Sequence, residues 1–234
     1  MMGNRRVMLK LSGEALSLPN GGGYNEPEVR RVAREVKTST DKGVQLGIII
    51  GGGNYWRGRS SKDIDRTKAD QIGMLATVMN CLYVSEIFRS EGLKTVVMSQ
   101  FQIGTVTEVY SKDRAMDYFN RGYVVFFSAG TGLPYFSTDT GIVLKACELE
   151  ADMVLLAKSI DGVYDQDPAV CPDAKKYETV SMTELVDKKL KVIDLTASAM
   201  CLDNKIPLAV FDLKEEGAIA AAMDGNVHGT VVTV

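Results

Sequence analysis

Apolar residues fall in short blocks along this chain, and the blocks alternate between two periods. Arg5-Arg6-Val7-Met8-Leu9-Lys10-Leu11 is an almost continuous apolar run of strand length, the pattern of a strand buried on both faces. Val44 to Ile50, Lys94 to Met98, Tyr123 to Phe127, Asp152 to Leu156, Pro207 to Phe211 and Gly229 to Val234 read the same way. Between them the period becomes helical. Val29, Val32, Ala33 and Val36 form a stripe opened by Asn25, with Pro27 in the first turn, Glu28 three positions beyond the cap, and Gly43 at the end. A longer pattern from Asp65 to Glu91 carries Ile72, Leu75, Ala76, Met79, Leu82, Val84, Ile87 and Phe88, is interrupted by Gly73 and stops at Gly92. Shorter helices are predicted over 112–120, after Ser137 or Thr138, after Ser181 with Glu184 as its capping partner, and from Thr196. Residues 99–110 show no clear period, and Lys158 to Pro172 reads as a polar loop.

Strand and helix alternating over the whole length predict an α/β fold, a three-layer α/β/α sandwich with a mainly parallel open sheet. No linker, repeat or low-complexity stretch divides the chain, so residues 1–234 are expected to form a single domain.

Composition narrows the function. A formal net charge of -3 and a pI near 5.4 argue against nucleic acid or an anionic membrane as the main partner. No uninterrupted apolar run approaches the roughly 18 residues of a spanning helix, and a cytoplasmic location is expected. The four cysteines are dispersed: Cys81, Cys147 and Cys201 sit in helical patterns as small core residues, and Cys171 lies in a loop as a candidate exposed thiol. His228 is the single histidine, which argues against a Cys/His metal site and a histidine base.

In open parallel sheets ligands bind at the carboxyl ends of strands. Four such ends carry glycine with polar residues: Lys10 to Gly13, Gly51 to Arg57, Gly130 to Asp139 and Lys158 to Asp167. Ile48-Ile49-Ile50 running into Gly51-Gly52-Gly53 is either a tight turn or a cradle of backbone N–H groups for an anion, with Arg57 as a solvated side chain or a planar fork for phosphate. Lys10 is flanked by Leu9 and Leu11, and a charge in an apolar run wants an anionic partner. Asp139 reads equally as a first-turn acid, Asp70 as part of a solvated helix face, and Asp161 and Asp167 as turn residues. There is no GxxxxGK[ST] and no helix-opening GxGxxG, which excludes P-loop and dinucleotide-binding folds.

The segments Lys10-Leu11-Ser12-Gly13-Glu14-Ala15-Leu16, GGGNYWRG at 51–58, GTGLPYFSTDT at 130–140 and DGVYDQDP at 161–168 resemble the bacterial UMP kinase (uridylate kinase) family of the amino-acid-kinase superfamily. Asp65-Arg66 to Asp70, the stretch 71–77, and Lys191-Val192-Ile193-Asp194-Leu195-Thr196-Ala197 extend the resemblance over nearly the whole chain. It implies transfer of a phosphoryl group from ATP to UMP with Mg²⁺, in a homohexamer with GTP as activator and UTP as inhibitor. The resemblance places Lys10, Leu11, Ser12, Gly13, Gly53, Arg57, Lys158, Tyr164 and Asp167 at ATP, with Lys10 stabilising the transferred group. Gly52, Asp70 and the loop Thr131, Gly132, Leu133, Pro134, Tyr135, Phe136, Ser137 and Thr138 fall at UMP. Asp139 would orient Lys10 and the metal, and Asp194 would join the same polar cluster. Leu133 stands where the family usually has Asn, and residues 155–160 depart from its usual run. The resemblance calls for no metal site built from protein ligands alone.

Two other readings share the fold: a superfamily member that phosphorylates a carboxylate or carbamate, and a non-catalytic nucleotide-binding or oxyanion-storage relative. Lys10, Arg57, Asp70 and Asp139 together favour an enzyme. The phosphate of UMP is largely dianionic at neutral pH because its second pKa is about 6. Such an acceptor needs positioning and charge neutralisation rather than a general base.

Overall fold

The computed structural model describes residues 5–18, 23–56, 63–190 and 192–234. In chain order its elements are β1 (Arg6–Leu11), α1 (Glu26–Thr40), β2 (Gln45–Ile50), α2 (Arg66–Ser90), β3 (Lys94–Ser99), β4 (Glu108–Val109), α3 (Lys112–Asn120), β5 (Tyr123–Ser128) and α4 (Thr138–Glu148). They continue with β6 (Met153–Lys158), β7 (Val163–Tyr164), β8 (Lys176–Tyr177), β9 (Thr179–Ser181), α5 (Met182–Asp187), α6 (Leu195–Asn204), β10 (Leu208–Asp212), α7 (Ala218–Asp224) and β11 (Gly229–Thr233). Nine strands form one sheet in the order β4-β3-β5-β2-β1-β6-β10-β11-β9. Every neighbouring pair is parallel except β10 with β11.

Side-chain parity builds the layers. Val7, Leu9 and Leu11 of β1, with Leu46, Ile48 and Ile50 of β2, pack under α1, α2 and α7. Met8, Ile49, Val125 and Phe127 point to the opposite face, under α3, α4, α5 and α6. Each large apolar side chain buried this way is worth about 1.5–3 kcal/mol, which is why the central strands read as continuous apolar runs. Parity also aims the chemistry. Lys10 shares the face of Met8 and leaves β1 on the side of α4. In β1 and β2, Lys10 is paired with Ile49, and Leu11 with Ile50, so both strands end at one level.

The caps expected at Asn25, Ser137 and Ser181 are present, and Asp65 adds one that was not expected. Asn25 accepts from Glu28 N, Asp65 from Lys68 N, and Ser181 from Glu184 N. Ser137 caps α4, accepting from Asp139 N and Thr140 N.

Four details differ from the sequence reading. Residues 158–172 are not all loop, because Val163 and Tyr164 pair antiparallel with Tyr177 and Lys176. The helix expected from Thr196 is capped by Asp194 and starts at Leu195. Three short elements carry too little period to be seen: β4, β9 and α7. Cys171 is half-buried, while burial pushes the Cys81 and Cys201 thiols up to about 12, as befits core residues.

Helix α2 qualifies the reading of apolar length. At 25 residues it is long and apolar enough to cross a membrane by length and composition. Its buried side, which includes Ala76, Thr77, Cys81, Val84 and Phe88, is spent on the sheet. Ile72, Leu75 and Met79 remain exposed.

Candidate active site

The carboxyl ends of β1, β2, β5 and β6 open into adjoining concavities, of which three form a continuous groove. The first lies between β1, β2 and β6 and is lined by Lys10, Ser12, Gly13, Gly51, Gly52, Gly53, Thr138 and Lys158, among others. The second lies between α2 and the loop after β5, with Gly52, Trp56, Asp70, Gly73, Thr131, Leu133, Phe136, Ser137 and Thr138 in its wall. The third is walled by Lys158, Tyr164, Asp167, Pro168 and Leu190. Gly52 and Thr138 are common to the first two, and Lys158 is common to the first and third. The three form one groove with the glycine triplet at one junction and Lys158 at the other.

The first concavity holds the charge. Lys10 is ion-paired with Asp139, and both side chains keep 18% of their exposure. The pair joins the central strand to the first turn of α4, so neither residue has its bland reading as a surface lysine or a free first-turn acid. Lys158 donates to the Val192 carbonyl, and burial lowers its pKa below the ordinary lysine value, with Asp139 opposing and Lys10 adding to that shift. Two ammonium groups and a carboxylate at the foot of a glycine loop make a site for a polyanion. Leu11 contributes backbone only: its side chain is in the core, and its carbonyl accepts from Gly51 N at 3.1 Å.

The glycines are demanded by close approach. A Cβ on Gly52 would lie 2.8 Å from the Gly73 carbonyl and 3.0 Å from Ala76 Cβ, so the loop rests directly on α2. A Cβ on Gly13 would lie 2.3 Å from the Gly51 carbonyl.

The second concavity is shaped by Asp70. Its Oδ2 accepts from the Tyr135 backbone N–H at 2.7 Å and from Arg66 Nε at 2.9 Å, and the Arg66 guanidinium lies 5.0 Å from the Tyr135 ring centroid. Tyr135 has φ +71°, a left-handed backbone rare outside glycine, and Asp70 holds it there. Asp70 is therefore not on a solvated face. At the start of the loop Ala129 N donates to Thr77 Oγ1 at 2.8 Å. At its end Ser137 Oγ donates to Asp194, which also accepts from Thr140 Oγ1 at 3.1 Å and from Ala197 N at 2.9 Å. Asp194 thus ties the starts of α4 and α6 together through Ser137, Thr140 and Ala197. Gly132, Pro134 and Tyr135 belong to the loop without facing into the concavity, and Gly132 packs on Gln100, which its Cβ would meet at 2.8 Å.

In the third concavity Tyr164 Oη donates to Asp161 at 2.8 Å, and Lys176 Nζ donates to the other Asp161 oxygen at 3.0 Å. The Lys176 hydrogen bond, ahead of the one from Tyr164, lowers the Asp161 pKa despite an opposing desolvation. Asp167 accepts from Ala169 N at 2.9 Å, so it is a turn residue as well as a wall residue. Arg57 lies outside the described residues. Sequence reasoning missed Glu14, Asn54, Thr77 and Asn80, which hold or line the loops. Glu14, Asn54 and Thr77 lie within the quoted motifs, and the signal for Asn80 was a lone Asn in the Met- and Leu-rich pattern of α2.

A three-layer sandwich with a polyanion groove across its strand ends suits the binding of phosphate groups. Residues 5–212 match the amino acid kinase family, and the chain belongs to that family. Among solved structures, it is similar to UMP kinase from Ureaplasma parvum, with TM-score 0.94 and 32% identity over 100% of both chains. It is equally similar to UMP kinase from Bacillus anthracis, with TM-score 0.94, 33% identity, and 98% and 96% of the two chains covered. Uridylate kinase from Archaeoglobus fulgidus superposes with TM-score 0.72 at 25% identity, covering 97% of this chain and 99% of its own.

Proposed function

We propose that the chain transfers the γ-phosphoryl group of ATP to UMP, giving ADP and UDP. The observation that carries this reading is the junction at Gly52 and Thr138, where a cationic glycine crevice opens into a separate pocket governed by Asp70. The donor phosphates occupy the crevice, against Lys10, Ser12, Gly13, Gly53 and Lys158, with the nucleoside beside Tyr164 and Asp167. UMP occupies the pocket between α2 and the loop 131–138. Lys10 neutralises the charge on the group in flight, and Asp139 holds its ammonium in place. The acceptor phosphate is already an anion, so no proton has to be removed.

Among the described residues no group of three or more His, Cys, Asp or Glu side chains could hold a metal ion. Mg²⁺ bound with a nucleotide is held chiefly by its phosphates and typically uses one or two protein carboxylates. Asp139, beside Lys10, would be one such carboxylate, and Mg²⁺ would supply charge neutralisation on the phosphates when bound. We further propose a cytoplasmic homohexamer acting in pyrimidine nucleotide biosynthesis, activated by GTP and inhibited by UTP. The exposed stripe of Ile72, Leu75 and Met79 on α2 supports an assembled state.

The test is ADP release in a coupled assay with UMP, CMP, dUMP and acetylglutamate as acceptors. UMP is expected to be preferred by about 10² or more, the range that a lost polar contact commands. Preference for acetylglutamate would move the chain to the carboxylate-phosphorylating branch, and ATP binding without acceptor-dependent release would make it a non-catalytic relative. Sedimentation with and without GTP or UTP tests assembly and regulation.

A further inference from the structure

Asn80 lies on α2 with no exposed surface, one turn beyond Thr77 on the helix face that meets the sheet. A buried carboxamide is costly unless its two donors and two acceptor sites are all used. Here they are. Nδ2 donates to the Gly51 carbonyl at 2.7 Å and to Asn54 Oδ1 at 2.8 Å. Oδ1 accepts from Tyr24 Oη at 2.8 Å and from Asn54 Nδ2 at 3.1 Å. Tyr24 is in turn clamped, stacked on Tyr83 with ring centroids 3.8 Å apart and edge-on to Tyr55. The loop after β1 closes on the same group, since a Cβ on Gly13 would lie 2.8 Å from Asn80 Nδ2.

The consequence falls on one peptide plane. The described peptide bonds are all trans, and in a planar trans peptide the C=O and the following N–H point in opposite directions. With the Gly51 carbonyl held by Asn80, the Gly52 N–H points away from Asn80, and among the described residues no acceptor takes it. Gly52 borders both the cationic crevice and the acceptor pocket. An apolar side chain at position 80 would fill the same space, as Cys81 and Val84 do nearby, but would leave this plane free to turn over.

We propose that Asn80 is a positioning residue for phosphoryl transfer: it fixes the Gly51–Gly52 peptide so that the Gly52 N–H is presented to phosphate at the junction of donor and acceptor. The proposal rests on the kinase reading above. Asn80 touches neither nucleotide and acts through the glycine loop.

The experiment compares the parent with Asn80→Ala and Asn80→Asp for turnover, for ATP and adenosine affinity by calorimetry, and for thermal midpoint. In Asn80→Ala, kcat is expected to fall by about tenfold or more, and ATP affinity to fall about fivefold or more while adenosine affinity holds. The Asp variant supplies a readout that a purely structural tie would not move. A protonated carboxyl can again donate to the Gly51 carbonyl, so the activity ratio of Asn80→Asp to parent should climb severalfold from about pH 8 to about pH 5.5, whereas the Asn80→Ala ratio stays flat. If the Ala variant fails to fold, the pH dependence of Asn80→Asp decides. Near-parental kcat with an unchanged ATP-over-adenosine preference in folded Asn80→Ala, or a flat Asn80→Asp ratio, overturns the proposal. A parent without UMP-dependent ADP release refutes the acceptor reading instead, and the ATP-over-adenosine comparison then still judges Asn80.

Discussion

The Lys10 ammonium, carried by the central strand, is ion-paired with the Asp139 carboxylate in the first turn of α4. The pair spans two parts of the chain 129 positions apart and sits where the glycine loop meets the acceptor loop. On the proposed reading, Lys10 serves the charge that develops in transit more than it serves UMP binding. Lys10→Met is expected to lower kcat by about 10²–10³ while the UMP dissociation constant moves by less than about threefold. Steady-state kinetics with calorimetric UMP titration checks this, and near-normal turnover would remove Lys10 from the assigned role.

Asp70 offers a separation of the two substrates. It holds the Tyr135 N–H and Arg66 in the acceptor pocket and is absent from the walls of the cationic crevice. Asp70→Ala releases the strained Tyr135 backbone and leaves the crevice untouched. Its KM for UMP should rise by about tenfold or more, with the KM for ATP within about twofold, since a hydrogen bond to a charged group is worth about 1.5–3 kcal/mol. Initial-rate measurements varying each nucleotide in turn decide it, and equal changes in both KM values would count against a dedicated acceptor pocket.

Much of this was legible in the chain because the central strands are buried on both faces. Their continuous apolar runs, ending in glycine with Lys, Arg or Asp, marked both the sheet and the edge at which ligands bind. Lys10 stood out because it interrupts such a run. Period fails where an element is set by pairing instead of burial. β4 is two residues held by Met98 and Ser99, β7 and β8 hide in a segment rich in Asp and Pro, and α7 follows Gly217 with no side-chain cap. The site was obscured in a different way. Asn80 follows Met79 in an apolar helix, and only the tertiary arrangement turns Met79 outward and Asn80 onto the glycine loop. The solvated alternative for Asp70 was equally reasonable until the loop from β5 folded over it.

Lys158 predicts a conflict between stability and function. Burial disfavours its charged form, and its hydrogen bond to the Val192 carbonyl is to a neutral acceptor. Lys158→Met should therefore raise the thermal midpoint of the nucleotide-free protein while weakening ATP binding by about tenfold or more. The sign with pH follows from the lowered folded-state pKa. Below it the charge is buried at full cost in the parent. As pH rises from that value toward the ordinary 10.5, the folded state sheds its proton before the unfolded state does, so parental stability increases. The advantage of Lys158→Met is expected to be greatest at neutral pH and to shrink on the way to pH 10.5. Thermal melts of both proteins across that interval test it, and a variant less stable than the parent at neutral pH would contradict it.

The glycine triplet gives the last prediction, and it separates three adjacent residues by what a methyl group would meet. At Gly52 the obstacles are the Gly73 carbonyl at 2.8 Å and Ala76 Cβ at 3.0 Å, both fixed by helix α2. At Gly53 the contact is Glu14 Oε1 at 2.7 Å, the end of an exposed side chain rather than backbone. At Gly51, among the described residues, only the Thr138 hydroxyl, 3.8 Å away, and Gly13 N at 4.0 Å come near. None of the three has a positive φ, so the alanine backbone itself is not strained. Gly52→Ala must push the loop off α2, displacing the residue that donor crevice and acceptor pocket share. It is expected to cost about 1–3 kcal/mol in stability and about 10² in kcat through lost alignment. Gly53→Ala should cost less stability and less turnover than Gly52→Ala, because its obstacle is the end of a side chain and not a helix carbonyl. Gly51→Ala should fold as the parent does, leaving any loss to the methyl group's intrusion on the crevice. Denaturant unfolding and kcat for the three variants give the ranking directly. If Gly52→Ala folds and turns over like the parent, the triplet is an ordinary turn and the junction between donor and acceptor lies elsewhere.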